Sequence, residues 1–175
     1  MKNKIFILLF SVFSFFAFSE SCANGYGGVK LGMSLEETKK ALKSNIEFGY
    51  SGEKDVSLLP GENKVLIETE AFSDSFLDRC YFQFYEEKLY SITINLNREK
   101  IDHYSVFKTL CKKYGTPSTV TPEKSVWKSD LVTMSLEKPL TLKYVDKKIF
   151  EKLQNSANID LSPQEITREM FLDSL

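Results

Sequence analysis

Histidine and tryptophan occur once each in the 175 residues, as His103 and Trp127, alongside three cysteines, five prolines and eight glycines. A lone histidine cannot assemble a typical zinc site, and neither Cys-x-x-Cys nor His-Glu-x-x-His spacing occurs. There is no Gly-x-Ser-x-Gly elbow, no phosphate-cradling glycine loop and no dinucleotide fingerprint, so no cofactor is implied. A Cys–His nucleophile pair would need His103 and Cys111, eight residues apart. On a helix that spacing is about 12 Å of rise, beyond hydrogen-bond reach. Excess charge of one sign is also missing, with 23 basic and 24 acidic residues and a net charge of −1. Nucleic-acid binding normally leaves a clustered basic footprint, and none is legible here.

Long apolar runs are absent apart from one at the N-terminus. Lys2 and Lys4 precede an apolar stretch from Ile5 to Phe18, broken only by Ser11 and Ser14. Two lysines, a short greasy core and small residues after it follow the three-part plan of a secretory signal. The stretch is shorter than the roughly 20 residues a bilayer-spanning helix needs. Residues 1–21 are therefore expected to be a signal peptide, residues 22–28 a flexible glycine-rich tether, and residues 29–175 one domain. Cys22 directly follows the apolar core, where it resembles the lipidated cysteine of bacterial lipoproteins, with Phe18 and Ser21 at suitable preceding positions. Glu20 departs from that pattern, and cleavage after Ala23 would instead release a soluble chain. The expected location is outside the cytoplasm: periplasmic or membrane-anchored through lipid on Cys22, otherwise secreted.

Without Lys2, Lys4 and Glu20 the remainder holds 21 basic and 23 acidic residues, near balance. Some 150 residues suit a single domain with its own core. Loss of Cys22 to lipid or cleavage leaves Cys80 and Cys111 as an even pair. One disulfide between them would be worth roughly 3–4 kcal/mol by the chain-entropy estimate; two buried thiols acting as small hydrophobes is the alternative.

Ser34 with Glu37 three residues later has the spacing of a capping box, and Leu35, Thr38, Ala41, Leu42 and Ile46 recur at helical intervals after it. From Phe48 to Asn63, Gly49, Gly52, Pro60 and Gly61 predict a long loop or irregular hairpin. Cys80, Phe82 and Phe84 alternate with Tyr81, Gln83 and Tyr85. Beyond the charged break Glu86-Glu87-Lys88, Tyr90, Ile92, Ile94 and Leu96 alternate with Ser91, Thr93 and Asn95. Period-two patterning on both sides of a turn predicts an antiparallel hairpin with one buried face. A second helix is expected from Glu99 to Tyr114, stopped by Gly115 and Pro117. Short strands at Ser125–Lys128, Leu131–Leu136 and Leu140–Val145 follow, then a helix over Asp146–Gln154 and a capped final helix after Ser162. The sum is an α+β fold: an antiparallel sheet with helices packed on one face, built as two tandem helix-then-strands units.

The opening Gly32-Met33-Ser34-Leu35-Glu36-Glu37 through Ala41-Leu42 resembles the first helix of the BamE/SmpA family of small outer-membrane assembly lipoproteins. Tyr114-Gly115-Thr116-Pro117, with Trp127 ten residues after the proline, is similar to that family's helix end and first aromatic strand. In this chain the two motifs sit in different halves, with a strand region between them. A tandem version of such a unit also resembles the fold of secreted β-lactamase-inhibitory proteins. The resemblance covers about a quarter of the mature chain and implies a fold neighbourhood, an envelope setting and protein partners.

Tyr81, Tyr85, Tyr90 and Trp127 are the candidate recognition residues, since aromatic side chains carry much of the binding energy at protein interfaces. A second layer formed by the C-terminal helices would cover them instead. Asp74 and Asp78 flank Phe72 and Phe76 and could form a carbohydrate or cation site, although surface carboxylates are usually just solvated. The expected function is a non-enzymatic exported envelope protein, a lipoprotein that binds or assembles envelope proteins and not nucleic acid. The rivals are a secreted inhibitor or small-ligand binder, and a carboxylate-based hydrolase, which would need two acids converging in a cleft.

Overall fold

A computed structural model describes residues 22–59 and 63–159. The apolar leader and the helix expected after Ser162 lie outside the described residues.

The chain enters through a small hairpin, β1 (Gly25–Tyr26) and β2 (Val29–Lys30), and continues into α1 (Leu35–Ser44). Residues 22–28 are thus not a free tether. Gly25 pairs with Lys30 and Tyr26 with Val29, and Val29 is wholly buried. The glycines serve folding here. A side chain at Gly25 would collide with the Val29 carbonyl, and one at Gly27 with the ring of Phe48. Tyr26 then meets Phe48 edge-on at 6.1 Å, and Phe48 meets Phe82 at 5.6 Å. This aromatic chain fastens the entry hairpin to the core.

α1 opens on the expected reciprocal cap. Ser34 Oγ accepts from the Glu37 amide at 3.3 Å, and the Ser34 amide donates to Glu37 Oε2 at 2.8 Å. Two short 3-10 turns, Ile46–Phe48 and Glu53–Asp55, occupy the stretch expected to be irregular. Then come β3 (Val56–Leu58), β4 (Lys64–Glu70), β5 (Leu77–Tyr85) and β6 (Lys88–Leu96). The predicted hairpin is β5–β6, turning at Glu86 and Glu87, both with positive φ (48° and 63°). Two successive residues in that region match the right-handed twist of the strands they join.

α2 (His103–Tyr114) begins four residues later than the sequence suggests, because Asp102 and not an earlier residue is the cap, accepting from the Ser105 amide at 2.9 Å. It ends at Gly115, whose φ of 77° and amide bond to the Cys111 carbonyl close the last turn. β7 (Thr119–Val120), β8 (Lys124–Lys128), β9 (Val132–Glu137), β10 (Thr141–Asp146) and α3 (Lys147–Ile159) complete the described chain.

One eight-stranded antiparallel sheet runs in the order β3-β4-β5-β6-β10-β9-β8-β7. The order is its own mirror image. Each half is a helix followed by four strands laid down in sequence, and the last strands of the halves, β6 and β10, join edge to edge. Thr93 of β6 lies opposite Lys143 of β10 at the centre of the seam, and Thr141 Oγ1 donates to Asn95 Oδ1 across it at 2.8 Å. The tandem reading of the sequence is therefore correct at the level of topology.

Strand pairing sorts side chains onto two faces. On the inner face Phe82 stands between Ile67 and Ile92, and Tyr144 between Ile92 and Met134, all fully or almost fully buried. At about 1.5–3 kcal/mol for each large apolar side chain removed from water, this face dominates stability. α1 and α2 pack over it, one for each unit. α3 turns back over one end of the outer face, where Lys152 bonds Glu86 at 2.8 Å.

Candidate functional site

The outer face of the first unit carries three of the four aromatics expected to form a recognition surface. Tyr81 and Tyr85 alternate with the inward Cys80, Phe82 and Phe84 on β5, and all three outward positions, including Gln83, are half-buried. Tyr90 joins them through a register shift between Gln83 and Phe84, and its hydroxyl lies 3.2 Å from Gln83 Oε1. A bulge of this kind re-aims a side chain, here adding a third ring to the strip. Burial raises the Tyr90 phenol above its ordinary value, so it remains a neutral donor. Arg79 at one end contacts Tyr81 and pairs with Glu68 at 3.2 Å and Glu70 at 3.8 Å. At the other end Lys152 of α3 stands over the Tyr85 ring at 5.0 Å. The strip is thus partly capped at Tyr85, with Tyr81 and Tyr90 half-buried beside it.

Trp127 does not belong to this surface. It lies on the inner face opposite Met134, is 3 % exposed, and donates from Nε1 to the Gly115 carbonyl at 2.9 Å. Its ring also meets Phe107 of α2 at 6.2 Å. Strand alternation decides the matter: Ser125 and Trp127 face inward, Val126 outward. The indole is the peg that seats the end of α2 on the second unit.

Of the two alternatives for Cys80 and Cys111, the structure shows the unbridged one, with both thiols free. Cys80 sits in β5 between Thr69 and Ile94, whereas Cys111 is one turn beyond Phe107, the α2 residue that meets Trp127 on β8. β5 and β8 are four strands apart in sheet order, about 19 Å at ordinary strand spacing. A disulfide requires Cα atoms within about 7 Å. Burial pushes the Cys80 thiol up to about 12, so it behaves as a small hydrophobe. Cys22 is half-buried and packs against the core, at the point where the chain enters the domain.

His103 is the first residue of α2 and its Nε2 is buried without a hydrogen-bond partner among the described residues. Two carboxylates do converge, but on a cation: Glu36 and Glu53 both bond the Lys39 ammonium, at 3.1 Å and 3.0 Å, tying α1 to the second 3-10 turn. Phe72 and Phe76 are exposed on the β4–β5 connection, and Asp74 and Asp78 make no ion pair among the described residues. No group of three His, Cys, Asp or Glu side chains among the described residues could hold a metal.

Two further features were not read from the sequence. A cavity of about 450 Å³ opens on the inner side between the units, lined by Leu77, Leu96, Val106, Leu110 and Leu142, with Tyr26, Tyr114 and Tyr144 also on its wall. Its residues come from five separate stretches of chain, so no local pattern could announce it. On the outer face of the second unit, Lys124, Lys128, Lys143 and Lys147 line a cleft of about 500 Å³ beneath α3. Strand pairing gathers these lysines from positions that look evenly scattered in the sequence.

The TP0088 domain family matches residues 24–156, from the entry hairpin into α3. No curated protein and no solved structure matches the chain.

Proposed function

Taking as premise that the chain belongs to the TP0088 domain family, we propose that it is a non-enzymatic exported envelope module that binds a protein partner through the outer face of its sheet. The observation that carries this is the strip of Tyr81, Tyr85 and Tyr90 on a sheet face that α1 and α2 leave uncovered. Rigid aromatic rings with a polar tip give large contact area at low entropic cost, which is why they dominate interface energetics. Glu68, Glu70, Arg79 and Lys152 around them form a charged rim of the kind that sets partner choice more than affinity.

Export rests on the leader of Lys2, Lys4 and the apolar run from Ile5 to Phe18. Attachment rests on Cys22, where a lipid would hold the domain close to the membrane. Among the described residues no helix is long and apolar enough to cross a membrane. Cleavage after Ala23 would give the secreted form of the same module.

Photo-crosslinking from positions 81 and 90 in envelope fractions tests the surface. A single partner should be captured, and the pair Tyr81→Ala and Tyr90→Ala should weaken its binding at least tenfold while leaving the thermal midpoint nearly unchanged. Undiminished binding by that double variant would overturn the assignment of this face. Intact mass of the natively expressed protein reads the leader: a chain beginning at Cys22 and heavier than its sequence is expected, and a full-length mass would refute export by this route.

A further inference from the structure

The cavity between the units combines aliphatic walls with a few polar groups. Leu77 and Leu96 of the first unit and Val106, Leu110 and Leu142 of the second make its aliphatic walls. Tyr26 and Tyr114 are each near enough to Tyr144 to influence it electrostatically, and the Lys113 ammonium stands 5.2 Å from the centre of the Tyr114 ring. Among the described residues lining the cavity, Lys113 is the one that carries a charge, and it forms no ion pair. Tyr144 is 2 % exposed, and its hydroxyl makes no hydrogen bond among the described residues. Burial, with the Glu47 carboxylate nearby, raises the Tyr26 phenol above its ordinary value. Burial holds the Tyr144 phenol well above its ordinary value, so at neutral pH it keeps its proton and can donate it in a hydrogen bond.

An aliphatic pocket with a single cation and a phenol hydroxyl on its wall is complementary to an amphiphile with an anionic head. We infer that this cavity binds the acyl chain of a long-chain carboxylate, with the carboxylate held by Lys113 and the Tyr144 hydroxyl. The volume of about 450 Å³ falls within the range of small-molecule sites, roughly 300–1,000 Å³. At about 30 Å³ for each water-sized unit it has room for a chain of around a dozen carbons. Because the walls come from both units, a bound chain would also brace the seam between them. The site is on the opposite side of the sheet from the tyrosine strip and does not depend on it.

Calorimetric titration of the full chain with dodecanoate tests the inference, with dodecanol as the uncharged comparison. Saturable one-to-one binding of dodecanoate is expected, at least tenfold tighter than that of dodecanol. Lys113→Glu should weaken dodecanoate tenfold or more without affecting dodecanol. Tyr144→Phe, which removes one oxygen and preserves shape, should weaken it several-fold. Leu110→Trp should fill the cavity and abolish binding of both; if that variant fails to fold, the two head-group variants still decide the question. The Tyr81→Ala and Tyr90→Ala pair should bind dodecanoate normally, which separates this site from the protein-binding face. Absence of saturable binding, or equal affinity for dodecanol and dodecanoate, would overturn the inference. Binding that appears only after Cys22→Ser would place the chain's own modification in the cavity, and would equally overturn it.

Discussion

Trp127 shows how a single residue can be legible as important and still be misplaced. Its aromatic bulk suggests recognition, but the register of β8 turns it inward, where Gly115 and Phe107 receive it. Trp127→Phe should therefore cost about 1 kcal/mol for the lost hydrogen bond, and Trp127→Ala about 3–5 kcal/mol for the cavity as well, read by urea unfolding. Neither should alter partner capture by the outer face. Cys80 is the second such residue. Buried between Thr69 and Ile94 and pushed up to about 12, it presents no thiolate at neutral pH. A thiol reagent such as dithionitrobenzoate should modify Cys80 only as fast as the protein unfolds, and Cys111, which is half-buried, sooner. Equal rapid labelling of both would contradict the packing described.

At the scale of elements, the boundaries that the sequence announces are those where side chains meet the backbone locally. The Ser34–Glu37 box, the Gly115 stop and the alternation through β5 have this character and appear where expected, whereas in β6 a register shift turns Tyr90 out of the phase it was expected to share with Ile92 and Ile94. The elements that escape are those created by distant partners. β1–β2 forms because Tyr26 finds Phe48, and a run rich in glycine gives no hint of it. β7 exists because two residues pair with β8. The caps also set an acid response. The Ser34 amide and hydroxyl hold the Glu37 carboxyl below its ordinary value, and Ser105 does the same for Asp102. A carboxyl with a depressed folded-state pKa stabilises above its unfolded value, about 4 here, and that contribution is lost as pH falls through the folded value. The thermal midpoint should be flat from about pH 7 to pH 5 and fall below about pH 4, with Glu37→Gln blunting the fall. Ser34→Ala, which removes the cap acceptor, should cost about 1 kcal/mol at neutral pH.

For the whole molecule, the tandem order of helix and strands was readable, because each unit carries its own pattern. How the units join was not, since nothing in β6 or β10 marks them as mutual partners before the sheet is assembled. The inter-unit cavity shares that obscurity, being a product of the same joint. One sheet and one continuous inner core imply a single cooperative unfolding event. Trp127 fluorescence reports the second unit and far-ultraviolet dichroism the entire chain, so their urea transitions should coincide. Separated midpoints would show that each unit melts alone.

The seam between β6 and β10 also says something about how such a molecule can be built from less. Both strands are the terminal product of their own unit, and they meet head to tail about a two-fold centre at Thr93 and Lys143. A gene encoding only one unit would leave that strand's amides and carbonyls bare along a nine-residue margin, the length of β6. An identical sibling offers the geometrically matched remedy, so a chain of one unit alone should pair symmetrically with itself. Joining the two units in one polypeptide makes that partnership permanent and leaves as the sheet's margins, among the described residues, β3 and β7, of three and two residues, too short to recruit a stranger.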